Sequence, residues 1–143
     1  MKQVHLTVMP VRWGDLDAYG HVNNTLYFRY MEQARVEWLE ALGLCLSPGG
    51  TQPTAPALPV VARIECDFLA PVSAPAQVAV SVSLGRPGRS SLETAHEIRL
   101  HPDGPVCARA RVVLVWTDAA SGRPVPLPDA VRAQCDAAGA PSA

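Results

Sequence analysis

Polar side chains are concentrated in one short stretch near the start of the chain, WGDLDAYGHVNN, at residues 13–24. It holds Asp15, Asp17 and His21, although charged residues make up only 17% of the protein. An amphipathic segment begins directly after it. A carboxylate at the start of a helix lies beside backbone N–H groups that have no intrahelical partner and at the positive end of the helix dipole. Because such N–H groups can polarise a carbonyl, the stretch could combine a base or nucleophile with an oxyanion stabiliser.

Two other interpretations of this stretch stay open at this point. Asp and Asn residues beside glycines are typical of turns and helix caps. A metal site would need further ligands, and the remaining histidines, His5, His96 and His101, stand at no zinc-like spacing from the stretch. We therefore expect no metal and no cofactor, and a turn or cap remains the alternative to catalysis.

The segment that follows is the clearest element of the sequence. Apolar residues recur at helical spacing over residues 25–43, and charged residues occupy the opposite face. Asn23, Asn24 and Thr25 offer side chains that could cap the start of a helix. Gly43 stands where a left-handed residue would end it. The sequence therefore predicts one long amphipathic helix whose first turn adjoins the polar stretch.

In the other periodic segments, apolar and polar residues alternate at every second position, which predicts β-strands. One strand is expected at about residues 4–13, where Pro10 indicates a sheet edge or a bulge. Four more correspond to VVARIECDF, QVAVSVSL, SLETAHEIRL and VCARARVVLVWT. The first of these four is expected to bury one face, formed by Val60, Ala62, Ile64, Cys66 and Phe68. The linkers GRPGRS and HPDG have hairpin length and turn residues, so the last three strands should be antiparallel neighbours.

These elements predict an α+β domain in which a five-stranded antiparallel sheet wraps around one long helix. The length of 143 residues suits one domain, expected at residues 1–130, with a C-terminal tail at 131–143 that is a short helix or disordered. Loops are predicted at residues 47–59 and after Pro124, where proline and glycine are dense. Apolar residues on the second face of the last strand, Val113 and Val115, favour contacts between copies of the chain.

Composition and charge exclude several classes of function. A net charge of −1 provides no basic surface for nucleic acid and no polybasic segment for an anionic membrane. No apolar run reaches the roughly 18–20 residues of a membrane span, and the start of the chain does not resemble a signal peptide. The four cysteines form no CxxC pair, so reduced thiols are expected. We therefore expect a cytoplasmic protein whose partners are small molecules or proteins.

The segment RWGDLDAYGHVNNTLYFRYMEQAR carries a resemblance to a known family. It resembles the motif of hotdog-fold acyl-CoA thioesterases of the 4-hydroxybenzoyl-CoA thioesterase type. It is also similar to the "DLD…HVNN…Y" segment of plant acyl-carrier-protein thioesterases. The resemblance extends more weakly to GRSS and to VWTDAASGRPVPLP and agrees with the order of the predicted elements. It implies a hotdog fold and a thioesterase activity that needs neither a metal nor a cofactor.

The resemblance also implies roles for individual residues. Both families place the catalytic carboxylate at the position of Asp17. The plant family has a functional histidine at the position of His21, although Tyr19 stands where that family has an asparagine. The first family directs the thioester carbonyl at a backbone N–H near the start of the helix, which corresponds to about Asn24. The positions with which its members bind the CoA phosphates correspond to Arg89 and Ser90, and Arg86 is a further candidate.

The expected function is hydrolysis of an acyl thioester to a carboxylic acid and a free thiol, with Asp17 as nucleophile or as general base. The thiol carrier is CoA or, as the alternative, acyl-carrier protein. Two other functions stay open: a non-catalytic module that binds acyl thioesters, and a hotdog dehydratase. The resemblance implies a homo-oligomer, either a dimer or a tetramer, with sites between subunits.

Overall fold

The computed structural model describes residues 1–44 and 57–139. In chain order its elements are β1 (Lys2–Pro10), a 3₁₀ turn (Trp13–Asp15), α1 (Asn24–Ala41), β2 (Ala57–Phe68), β3 (Gln77–Pro87), β4 (Ser91–His101), β5 (Val106–Asp118) and α2 (Asp129–Ala137). The described strands form an antiparallel sheet in the order β1-β3-β4-β5-β2. The predicted α+β class, with a five-stranded antiparallel sheet packed on one long helix as in hotdog proteins, is confirmed.

Helix α1 begins and ends as its sequence predicts. The side chain of Asn23 accepts a hydrogen bond from the backbone N–H of Thr25 at 3.0 Å and so caps the first turn. Gly43 has a φ of +80°, the left-handed conformation that ends a helix without strain in a residue that has no Cβ. Between these ends, Met31 and Trp38 are completely or almost completely buried against the sheet. Burial of each such side chain stabilises the fold by roughly 2 kcal/mol.

The inner face of the sheet follows the predicted alternation in its three central strands. Every second residue of β3 from Val78 to Leu84, of β4 from Leu92 to Ile98, and of β5 from Ala108 to Trp116 is buried. In β3 the intervening Ala79 and Ser81 are buried as well. The consecutive hairpins β3-β4 and β4-β5 are antiparallel, as the short linkers predict. These strands therefore provide the rigid platform on which α1 lies.

The limits of several elements differ from the sequence prediction. The first strand ends at Pro10, and the chain turns into the 3₁₀ segment before it reaches the polar stretch. Strand β3 continues to Pro87 because Pro87 still pairs with Leu92, so the first half of GRPGRS is strand and the turn comprises residues 88–90. Of the loop predicted at 47–59, residues 57–59 belong to β2, and the rest lies outside the described residues.

The predicted buried face of β2 is wrong for Val60 and Ala62, where a β-bulge shifts the strand, and for Phe68, which is 48% exposed at the end of the strand. Val61 pairs with Leu114, but Arg63 pairs with Val113, so Ala62 is an extra residue in the ladder. The bulge moves Val60 out of the face that Ile64 occupies, and Val60 is 50% exposed. Strand β2 is also an edge of the sheet, where the ladder tolerates both a bulge and a proline.

Helix α2 lies in the C-terminal region, where the composition favours a loop or a short helix. Val131 and Cys135 are completely buried, so one face of α2 belongs to the core. The indole N–H of Trp38 donates a hydrogen bond to the side-chain oxygen of Gln134. This bond ties α2 to the C-terminal half of α1.

The described cysteines, Cys66, Cys107 and Cys135, are free thiols, as expected, and Cys45 lies outside the described residues. Burial raises the pKa of each of these three thiols. Among the described residues, neither helix combines the length and the apolar character that crossing a bilayer requires.

Candidate active site

The polar stretch forms a tight loop between the 3₁₀ turn and α1. The backbone N–H of Asp17 donates to the carbonyl of His21 at 2.8 Å, and Leu16 and Val22 form an isolated antiparallel bridge. The N–H of Gly20 donates to the carbonyl of Asp17 at 3.0 Å, and Gly20 has a φ of +75°. Gly20 closes this four-residue turn in the left-handed conformation, which glycine adopts without strain because it has no Cβ. The turn places Asp17 and His21 opposite each other on paired backbone.

The carboxylate of Asp17 is oriented by its own loop. Its Oδ1 accepts a hydrogen bond from the backbone N–H of Tyr19 at 2.9 Å. Its Oδ2 has no hydrogen-bond partner within the described part of the chain. The side chain is half-buried, whereas His21 is exposed. One oxygen is thus fixed, and the other is available to a ligand.

The start of α1 provides an unpaired donor beside this carboxylate. The N–H of Asn23 donates to the carbonyl of Asp15 at 2.9 Å, and the N–H groups of Thr25 and Leu26 are taken by the side chain and the carbonyl of Asn23. The N–H of Asn24, the first helical residue, has no acceptor in residues 1–44 and 57–139. An N–H at this end of a helix is a favourable donor to a developing negative charge.

Asp17, His21 and Asn24 line one open groove, as their predicted shared role requires. The groove has a volume of about 330 Å³. Its other walls are mostly apolar. They come from the loop before α1, from α1, and from the end of β2 with the residues that follow it: Val22, Tyr27, Phe68, Leu69, Ala70 and Pro71. The arrangement suits a ligand that has an apolar part and one carbonyl group.

The apolar walls of the groove are what the sequence reasoning missed. Tyr27 appears in the sequence only as part of the buried helix face, and Phe68 as the end of a strand. The rings of Tyr27 and Phe68 meet edge to face with centroids 5.3 Å apart, and Phe28 contacts Phe68 in the same way. The sequence does show an aromatic residue near the start of the helix and another at the end of the strand. No local pattern, however, indicates that the two rings contact each other.

Asp15 lies only two residues from Asp17 but has a different role. Its Oδ2 accepts hydrogen bonds from the hydroxyl of Tyr30 at 2.7 Å and from the backbone N–H of Arg12 at 3.0 Å. Burial and the hydrogen bond to Asp15 raise the pKa of Tyr30. Asp15 therefore fastens the loop to α1, and it does not line the groove.

The other predicted site residues lie elsewhere in the chain. Arg86, near the end of β3, and Arg89, in the β3-β4 turn, are exposed, and Ser90 follows them. This turn contacts α2, which is bonded to Trp38 in the C-terminal half of α1. Because a helix rises 1.5 Å per residue, Trp38 is about 21 Å along α1 from Asn24. Within one chain, the structure does not bring the three predicted phosphate-binding residues to Asp17.

His96 is a buried structural residue, as its place on an alternating strand predicts. Its Nδ1 lies 3.0 Å from the carbonyl oxygen of Ser81, and its Nε2 lies 3.2 Å from Oγ1 of Thr94. Burial and the neighbouring positive charge of Arg35 lower the pKa of His96 to about 3. It is therefore neutral at physiological pH. In the part of the chain that the structure describes, no group of three His, Cys, Asp or Glu residues could hold a metal ion.

Comparisons with known proteins identify relatives over most of the chain. The model of the thioesterase-like superfamily matches residues 11–135. The structure of PA2801 from Pseudomonas aeruginosa is 42% identical, with a TM-score of 0.85, and the match covers 93% of this chain and 98% of that one. A thioesterase from Thermus thermophilus, solved with coenzyme A and Zn, is 36% identical, with a TM-score of 0.77 and 96% of both chains covered. The chloroplastic acyl-acyl carrier protein thioesterase ATL3 of Arabidopsis thaliana is 26% identical over 134 residues, which are 94% of this chain and 68% of ATL3.

Proposed function

The chain belongs to the thioesterase-like superfamily, and from this premise we propose that it is an acyl-CoA thioesterase, which hydrolyses an acyl thioester to a carboxylic acid and free CoA. One observation carries the proposal. The available oxygen of Asp17 and the unpaired N–H of Asn24 belong to residues that line the same apolar groove. A nucleophile or base and an oxyanion donor are the two groups that acyl transfer needs. The bound CoA of the Thermus relative favours CoA as the thiol carrier.

In the proposed reaction, the thioester carbonyl oxygen accepts a hydrogen bond from the N–H of Asn24. Oδ2 of Asp17 either attacks the carbonyl carbon or removes a proton from a water molecule that attacks it. Attack by Asp17 expels the CoA thiolate and leaves a mixed anhydride, which water then hydrolyses to the acid and the free carboxylate. In both routes negative charge develops on the carbonyl oxygen, where the Asn24 N–H stabilises it. His21 lies on the same rim and is proposed as part of the site.

A panel of acyl-CoA thioesters with detection of released thiol tests the function. We expect thiol release that is proportional to enzyme concentration for at least one aliphatic or aromatic acyl group, and no rise in enoyl absorbance. The same acyl groups on acyl-carrier protein distinguish the two thiol carriers. Binding of acyl-CoA without thiol release would identify a binding module, and new enoyl absorbance would identify a dehydratase.

We further propose that the complete site lies between two copies of the chain. Strand β2 is a sheet edge, and several large apolar residues on it and just after it are exposed: Leu58, Val60, Val61, Phe68 and Leu69. An exposed apolar edge of this kind is suited to pairing with a second copy. An isologous two-fold contact through β2 would pair the two strands antiparallel.

Such a dimer would bring Arg89 of one copy toward Asp17 of the other. The Phe68 end of β2 lies at the groove, where Phe68 contacts Tyr27. The opposite end lies near the β3-β4 turn, because Pro59 pairs with Trp116, whose N–H donates to the carbonyl of Ser90. Antiparallel pairing places the turn end of one β2 beside the groove end of the other. The separation of Arg89 from Asp17 within one chain is therefore compatible with a shared site.

Replacing Arg89 with Ala is expected to raise KM for acyl-CoA about tenfold and to leave kcat nearly unchanged. A guanidinium–phosphate contact is charge-assisted, and its loss removes binding that is equal in the ground and transition states. The measurement is steady-state kinetics with acyl-CoA and with the same acyl group on pantetheine, which has no nucleotide. The pantetheine ester is the control and should show no change, whereas an unchanged KM for acyl-CoA would refute the assignment.

Mixing two variants that are each impaired at low acyl-CoA concentration tests the shared site. In a heterodimer of Asp17→Asn and Arg89→Ala chains, one of the two composite sites contains both native residues. After subunit exchange, activity at low acyl-CoA concentration should rise toward about one quarter of the wild-type rate, because half of the dimers would be mixed and each would have one intact site. No gain on mixing, with exchange confirmed by mass spectrometry, would place Asp17 and Arg89 in separate sites.

A further inference from the structure

The backbone carbonyls of the turn between β3 and β4 accept hydrogen bonds from β5 and from the C-terminal segment. Nη2 of Arg132 lies 2.8 Å from the carbonyl oxygen of Gly88 and 3.3 Å from that of Arg89, and it donates to both. The carbonyl of Arg89 also accepts from the N–H of Leu127 at 2.9 Å. The carbonyl of Ser90 accepts from the N–H of Trp116 at 2.8 Å. All three carbonyls of the turn thus have fixed partners.

The turn is also closed tightly on itself. The N–H of Gly88 donates to the carbonyl of Ser91 at 2.8 Å. A Cβ at position 88 would stand 2.5 Å from Oγ of Ser91, so a side chain there would displace the hydroxyl of Ser91. The side chain of Arg89, by contrast, is exposed and contacts no hydrogen-bonding or acidic partner within residues 1–44 and 57–139. The backbone is fixed while the guanidinium is free to meet a ligand.

Arg132 owes its own position to the burial of α2. Val131 and Cys135, on either side of it, are completely buried, and Gln134 accepts the bond from Trp38. Arg132 itself is half-buried, with its guanidinium under the turn. The helix therefore presents a rigid donor to the carbonyls of Gly88 and Arg89.

We propose that Arg132 is a positioning residue for CoA binding, which holds the backbone of the turn so that Arg89 is presented to the phosphates. This inference rests on the proposed function, because it assigns phosphate binding to Arg89. A cation whose backbone is held in place loses less conformational entropy on binding than one on a mobile turn. The C-terminal helix then sets the affinity for the nucleotide part of the substrate, although it lies far from Asp17 within its own chain.

The test is a double-mutant cycle of Arg132→Met and Arg89→Ala. Methionine keeps the aliphatic packing of Arg132 and removes its donors. We expect Arg132→Met to raise KM for acyl-CoA about fivefold to tenfold at unchanged kcat, and to leave kinetics with the acyl-pantetheine ester unchanged. In the Arg89→Ala background the same substitution should have almost no further effect, because Arg132 acts through Arg89.

Arg123→Met is the matched control, since it removes an equal charge from an exposed position of the same C-terminal segment. It should leave KM unchanged. Arg132→Lys retains one donor and should recover part of the affinity. An equally large effect of Arg132→Met in the Arg89→Ala background would overturn the proposal and indicate direct phosphate contact. An unchanged KM in Arg132→Met would overturn it as well.

These measurements distinguish a failure of the role proposed for Arg132 from a failure of the thioesterase activity or of the phosphate role of Arg89. Absence of thiol release by the wild-type protein would reject the thioesterase itself. An effect of Arg132→Met without any effect of Arg89→Ala would reject the phosphate role of Arg89. Circular dichroism and the melting temperature of each variant exclude unfolding, and equal losses with acyl-CoA and acyl-pantetheine would indicate a merely structural role for Arg132.

Discussion

Replacing Asp17 with Asn is expected to lower kcat by at least about 10²-fold, the lower limit of what a positioned acid or base contributes. Asparagine keeps the shape of the side chain, and its oxygen can still accept the hydrogen bond from the N–H of Tyr19. It is neither a competent base nor a comparable nucleophile at neutral pH. The melting temperature should therefore change little while activity is lost. Steady-state kinetics and thermal melts on the purified variant measure both.

Asp15→Asn provides the control for the loss of one charge in the same loop. Asp15 accepts hydrogen bonds from Tyr30 and from the N–H of Arg12, and it does not line the groove. Its substitution should lower the melting temperature, because a charge-assisted bond becomes a neutral one, and should leave kcat largely intact. Hydrolysis by Asp17→Asn at a near wild-type rate would disprove the mechanism, and the polar stretch would then be only a turn and a cap.

Replacing Asn24 with Pro is expected to lower kcat by about 10²–10³-fold without unfolding the protein. The substitution deletes the backbone N–H that the proposal assigns to the oxyanion, and the loss of one such donor has about this cost. Proline is well tolerated at the first position of a helix. The preceding residue, Asn23, already has the extended backbone, with a φ of −57° and a ψ of 135°, that a following proline requires. Helix α1 should therefore form as before.

Asn24→Ala separates the backbone from the side chain at this position. It keeps the N–H and removes only the exposed amide, so kcat should stay within a few-fold of the wild type. The melting temperature of Asn24→Pro should equal or exceed that of Asn24→Ala, because proline restricts the unfolded chain. Full activity in the proline variant would assign the oxyanion to another donor.

Local patterns predict those parts of the fold that local forces determine. Asn23 caps α1 and Gly43 ends it because each acts on backbone groups within a few residues. The buried residues of β4 and of β5 from Ala108 onward follow from simple alternation, since each of these central strands has one face on the core. The loop that carries Asp17 and His21 could likewise be predicted, because all of its residues lie within one short sequence motif.

Features that depend on distant segments could not be predicted in this way. The bulge at Ala62 arises from the pairing of β2 with β5, and a shift of one residue moves Val60 to the other face. Phe68 joins the groove only because the fold places the end of β2 beside Tyr27. No periodicity in either segment indicates that contact.

The residues predicted to bind phosphate show the same limit at a larger scale. The sequence associates Arg89 with Asp17 through a family motif, but the distance between them depends on the length and direction of β3. Strand β3 begins beside Pro10, near the site loop, and ends at the turn, so its ten-residue rise of about 33 Å separates the two residues. If Arg89 serves the reaction at Asp17, it must therefore do so in a site that another copy of the chain completes.

The pairing of β2 with β5 also determines when the sheet can be completed during synthesis. The paired residues stand roughly 40 to 60 positions apart in the chain, from Phe68 with Ala108 to Ala57 with Asp118. At a translation rate of about 5–20 residues per second, β2 leaves the ribosome several seconds before its partner strand exists. During this interval its apolar edge has no native neighbour, and contacts of such long sequence separation form slowly even afterwards. Strand β2 is therefore exposed to aggregation until β5 has emerged, and a chaperone that covers its apolar edge would protect the nascent chain during this interval.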